Sequence, residues 1–221
     1  MTVVAVASSV LVGACTERTL DESVRDVTPS TTMPGAAPTV ATSSVPAGSA
    51  FVARVAAVDT SDLVLGGEFN RQFLTLQFLA VGLDEVESRC AADRVVTAAG
   101  PTFATRPVNQ VMSGTGITPD VLMPCVPTER MMSLAASGAG ADLARVPAGV
   151  LRSTLTELAS AGYESVGLTP VEATCLADAV VGSYGDGDLA GVMTDLSLPA
   201  DRAVSALPSC VTPARADELG A

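Results

Sequence analysis

Leu151, Leu155 and Leu158 recur at i, i+4 and i+7, the spacing that places three side chains on one face of a helix; Phe69, Phe73 and Leu76 repeat it earlier in the chain. Each stripe predicts an amphipathic helix that opens a unit. A helix-start signal follows each stripe. Thr169-Pro170-Val171-Glu172 combines a capping box with proline at the first helical position, and Asp84 with Glu87 supplies the equivalent. In this second helix Val171, Cys175 and Ala179 share a face, as do Val86 and Cys90, and the pattern directs that face and its cysteine toward the core. Thr118-Pro119 and the region around Pro199 start a third helix that carries a further cysteine. Asp120 lies five residues before Cys125 and Asp201 nine before Cys210, so the third helix of the first unit is about one turn shorter. Residues Phe51 to Val58 are apolar and read equally as a short strand or a helix.

The two sets of elements are copies. Residues 81–96 align with residues 166–181 without a gap, at an offset of 85, with ten identities in sixteen positions; the same offset carries Cys125 onto Cys210. Four cysteines allow three connectivities, and duplication favours the one in which each copy closes its own bond, Cys90 to Cys125 and Cys175 to Cys210. A unit of roughly 65 residues with few aromatic side chains has a thin core, and domains that small often need a staple. Zinc is the competing use of four cysteines, but the chain holds no histidine and no close Cys-x-x-Cys pair, so no metal and no cofactor is expected.

At the other end of the chain the pattern changes. Thr2 to Ala14 is an almost unbroken run of small and apolar residues that stops at Cys15. It is too short for a permanent membrane span, which takes about 20 residues, and has the length of a signal-peptide core with small residues, Gly13 and Ala14, at its end. Leu11-Val12-Gly13-Ala14-Cys15 resembles the lipobox of bacterial lipoproteins, in which the cysteine is acylated and becomes the mature N-terminus. The resemblance implies lipid attachment at Cys15 and a place on the outer face of the cytoplasmic membrane. Cys15 is the odd one of five cysteines, which fits a separate fate. The basic residues that usually open such a leader are absent before Arg18, and a start upstream of Met1 would supply them. From Thr16 to Ala50 the chain is rich in Ser and Thr with prolines at 29, 34, 38 and 46, a composition that predicts a disordered tether.

The repeated unit, with Glu87, Cys90, Asp93 and Cys125 in one copy and Glu172, Cys175, Asp178 and Cys210 in the other, resembles a short helical module of exported proteins and lipoproteins of high-GC Gram-positive bacteria. That resemblance implies a fold and an address and brings no activity with it.

Composition narrows the function classes. All twelve basic residues are arginine, the net charge is -12, and the acid is spread without a block of like charge. With no basic stripe, no nucleic-acid partner is expected. Glu87 and Glu172 recur in both copies, but helix capping already accounts for them. Asp93 and Asp178 sit six residues further on, about 240 degrees around the helix, so they do not converge with the glutamates on one site. Gly185-Asp186-Gly187-Asp188 has the start of a calcium loop, yet Ala190 and Ser197 stand where oxygen ligands are required. No nucleophile elbow, phosphate loop or dinucleotide fingerprint is present.

The expectation is an all-α protein of two repeated units of about three helices each, one disulfide per unit, behind a signal segment and a tether. Its divisions are a signal peptide at 1–14, the acylated cysteine and tether at 15–64, repeat 1 at 65–128, a linker at 129–149, repeat 2 at 150–213 and a tail at 214–221. It is expected to be non-catalytic, anchored in the membrane through its lipid, and to bind another envelope component. The alternative is a carrier of an apolar ligand or lipid in a groove between the repeats.

Overall fold

A computed structural model describes residues 49–114, 117–138 and 140–221, and among them every regular element is a helix. A lone helix, α1 (Ser49–Ala56), leads in. The first unit then runs α2 (Gly66–Ala80), α3 (Glu85–Ala99), α4 (Val108–Met112), α5 (Pro119–Leu122) and α6 (Thr128–Ser137). The second unit runs α7 (Ala148–Ser165), α8 (Pro170–Gly182), α9 (Leu189–Asp195), α10 (Ala200–Ala206) and α11 (Pro213–Leu219). Adding 85 to the first residues of α3 and α6 gives the first residues of α8 and α11. The duplication is therefore visible in the element order as well as in the residues.

The turn that separates the first two helices of each unit explains the first identical residues of the repeat. Leu83 N–H donates to the Phe78 carbonyl at 3.1 Å and Leu168 N–H to that of Tyr163 at 3.3 Å, the six-residue closure of a Schellman stop. Gly82 and Gly167 occupy the left-handed position with φ of 99° and 104°, which a side chain would strain. Leu83 and Leu168 then fold back into the core. Val-Gly-Leu is thus a helix stop, and the capping box begins on the next residue.

The paired α2–α3 and α7–α8 helices bury Phe69, Phe73 and Leu76 in one unit and Leu151, Leu155 and Leu158 in the other. The second helix turns a different face inward from the one its valines suggested. Its buried positions are Ser88, Ala91, Ala92 and Val95 in α3 and Ala173, Leu176, Ala177 and Val180 in α8, an i, i+3, i+4, i+7 stripe. Val86 and Val171 are 79% and 82% exposed, Ala179 is exposed, and Cys90 and Cys175 lie half-buried at the margin. Small residues form the buried stripe because α3 and α8 pack closely along their partner helices. The faces marked by Val86 and Val171 are therefore not the buried ones.

Each disulfide ties its second helix to a later, shorter one. Cys90 joins Cys125 just beyond α5, and Cys175 joins Cys210 just beyond α10, each with Cα atoms 5.6 Å apart and a sequence separation of 35. The α5 helix has four residues and α10 seven, the one-turn shortening expected of the first unit.

The segments that precede the units cross over. Phe51 and Val55 of α1 are fully buried against α10 of the second unit. The 3-10 turn Thr60–Asp62 follows, and the Thr60 hydroxyl donates to the Leu196 carbonyl of that same unit. Leu196 holds φ of 52°, unusual for a branched residue, and this contact fixes its carbonyl. In the reciprocal direction, the turn Leu143–Arg145 leads into α7 but packs on α2, and Asp142 N–H donates to the Ala80 carbonyl at 2.8 Å. The opening helices α2 and α7 also touch each other. As a result one contiguous apolar core runs through both copies.

Candidate functional site

The side-chain cluster that recurs in both units is built on the start of the second helix. In the first unit, the Asp84 carboxylate accepts from Glu87 N–H at 2.8 Å while Glu87 Oε2 accepts from Asp84 N–H at 3.0 Å. In the second, Thr169 and Glu172 close the same box at 3.4 and 2.8 Å. An arginine from the last helix of each unit completes the cluster. Arg130 Nε lies 3.7 Å from Glu87 Oε2 and its Nη2 donates to the Gly82 carbonyl at 2.7 Å. Arg215 Nε lies 3.3 Å from Glu172 Oε1 and its Nη2 donates to the Gly167 carbonyl at 2.7 Å. One guanidinium fork thus ties the cap glutamate, the left-handed glycine and the last helix together.

Electrostatics follow from that geometry. The Glu172 carboxyl is held below the usual carboxylate range, first by the Thr169 backbone N–H and then by the Thr169 hydroxyl side and Arg215. Arg215 is also paired with Glu218 at 3.0 Å. Glu87 Oε2 meets both Asp84 N–H and Arg130, whereas Glu172 divides its two oxygens between Thr169 N–H and Arg215. The cluster therefore holds a helix start.

The arginines were absent from the sequence expectations, although the signal was present. Arg130 and Arg215 each lie five residues after the second cysteine of their unit, and the offset of 85 relates them as it relates the cysteines. They were missed because they fall in the stretches read as linker and tail, where α6 and α11 form.

Asp93 lies on the surface with its carboxylate 3.3 Å from Arg71 Nε of α2, and Asp178 is exposed. Within the Gly185–Asp188 turn, the Asp186 carboxylate accepts from Arg152 Nη2 at 2.8 Å, while the same guanidinium donates to the Val181 and Tyr184 carbonyls and closes the end of α8. No group of three acidic, cysteine or histidine side chains converges among the described residues. Asn70 Oδ1, Ser88 Oγ and the Tyr163 hydroxyl are buried without a hydrogen-bond partner, and burial pushes the Tyr163 phenol well up. All three sit inside the packed helices. Cys15, with the run that precedes it and the tether up to residue 48, lies outside the described residues.

Hollows among the described residues include one enclosed and one open. The one under α7, α8 and α9, lined by Leu155, Leu158, Tyr184 and Leu198, is about 20 Å³, room for one water molecule. A depression of about 560 Å³, lined by Arg54, Val58, Asp59, Leu63 and Ser165–Gly167, lies open on the surface between the lead-in segment and the second unit. No described helix is long and apolar enough to cross a membrane. Comparison with known protein families, with curated proteins and with solved structures returns no match to this chain.

Proposed function

We propose that this chain is a non-catalytic protein of the cell envelope, tethered by a lipid on Cys15, whose helical units bind another envelope component. The observation that carries the binding step is the placement of apolar surface. The hollow under α7, α8 and α9 has room for one water molecule, while Val86, Val171, Met123 and Met132 stand in solvent. A hollow of that size gives an apolar ligand no chamber, and exposed methionines are adaptable contact residues. The address rests on the lipobox-like residues 11–15, and two intramolecular disulfides suit an oxidising compartment. A lipid-linked N-terminus gives stable anchoring when two acyl chains are present.

The carrier reading keeps one feature in its favour, the open depression beside Arg54, whose volume is within the range of small-ligand sites. Its mouth is wide and its lining mixes an arginine and an aspartate with aliphatic groups. Mass spectrometry of the membrane-extracted protein separates these statements. A diacylglyceryl adduct on an N-terminal Cys15 is expected, and a mature form that retains residues 1–14 contradicts the anchor. Cross-linking in intact membranes is expected to join the chain to an envelope protein. Recovery of a stoichiometric lipid in the native spectrum, with no cross-linked protein, overturns the binding reading in favour of the carrier.

A further inference from the structure

The duplication supplies a comparison within one molecule. On the second unit, α1 lies across α10, and the residues beneath and beside it, Ala203, Leu207 and Leu219, are buried. Phe51 N–H donates to the Gly220 carbonyl and Arg54 Nη2 to that of Leu219, so α1 is also tied to the end of α11. The offset of 85 carries these three residues to Thr118, Leu122 and Leu134. There Thr118 is exposed, Leu122 and Leu134 are only half-buried, and neither α5 nor α6 buries a single residue. Met123 and Met132, on the same two segments, are 48% and 68% exposed. The reason is covalent. The counterpart of α1 would be residues 134–141, and that stretch is already used as the end of α6 and the path into α7.

We propose that the Leu122–Leu134 surface of the first unit is a docking site for a short basic amphipathic helix of a partner protein, laid there as α1 is laid on the second unit. This deepens the binding reading above and rests on it. The occupant's chemistry follows from α1, which presents Phe51 and Val55 at i and i+4 and whose one charge is Arg54. Basic character is favoured by the net charge of -12 and by Asp120 and Glu129, which stand exposed on the two segments. Flexible Met123 and Met132 can adapt to the residues such a helix carries.

The probe is a capped peptide of residues 49–58 of this chain, titrated into the full chain and followed by amide chemical shifts. Saturable shifts are expected at residues 118–123 and 131–135. The peptide carrying Phe51→Ala should bind about tenfold more weakly or worse, as loss of a buried aromatic implies. Met132→Glu, at a position 68% exposed, should abolish the shifts while leaving the melting temperature and both disulfides unchanged. An absence of saturable shifts in the first unit, or shifts confined to residues 200–220, overturns the site. Membrane cross-linking keeps the two readings apart. If Met132→Glu captures the same envelope protein as the native chain, the docking site falls and the binding reading stands; if the native chain captures none, the binding reading itself falls.

Discussion

Four of the ten identities shared by the copies have a local job. Gly82 and Gly167 stop the first helix, Leu83 and Leu168 close that stop, Glu87 and Glu172 cap the next helix, and the cysteines staple it. The glutamates and cysteines were legible because capping and disulfide chemistry depend on residue type and spacing. Arg130 and Arg215 depend on a contact more than 40 residues away in sequence, which no local rule encodes; only the repeat register points to them. Arg215→Ala should lower the melting temperature by a few degrees and speed exchange of the Thr169 N–H. The pH dependence of the cluster follows from Glu172. Its folded carboxyl is held below the ordinary value of 4.5, so its stabilisation is complete above that value and is lost as pH falls through the lower folded value. Glu172→Gln should therefore melt earlier than the native protein at neutral pH, with the gap closing as the solution is acidified below about pH 4.5. A gap that widens in acid contradicts the assignment.

Among the elements, the opening helices were readable because large residues at i, i+4 and i+7 mark a core-facing stripe whatever it packs on. The second helices were readable in extent but not in orientation. Their buried stripe is Ala91, Ala92 and Val95 in one copy and Leu176, Ala177 and Val180 in the other, while the conspicuous valines, Val86 and Val171, face solvent. Close helix packing favours small residues, and a hydrophobic count undervalues alanine. The least legible element was α1. Eight residues behind a Ser/Thr/Pro-rich stretch are too short to be stable alone, and their helix depends on a groove more than 140 residues away. Phe51→Ala should cost about 3–5 kcal/mol, the usual range for removing a fully buried aromatic side chain. Its signature is regional. Protection from hydrogen exchange should fall first in α10 and α11, which α1 covers, and a loss confined to residues 49–64 would show that α1 contributes nothing to the second unit.

At the scale of the whole molecule, the sequence register revealed two copies but not how they are joined. Each unit closes its own disulfide, yet the segment ahead of each unit packs on the other, through α1 and Thr60 in one direction and Asp142 to Arg145 in the other. Such crossing contacts lie between elements that pattern analysis treats separately, so independence was the natural expectation from duplication alone. The crossing also holds the two copies of one surface in a fixed relation, one covered by α1 and one exposed. The most direct test of this architecture is hydrogen exchange on the chain carrying Cys175→Ala with Cys210→Ala. Removing a bond that closes a loop of this size costs about 3–4 kcal/mol in the chain-entropy model. Because the core is continuous, protection should fall in the second unit and, to a lesser degree, along α2 and the 143–145 turn that meets it. Undiminished protection throughout residues 66–137, with α7 to α11 loosened, would contradict the shared core and leave two domains that merely touch.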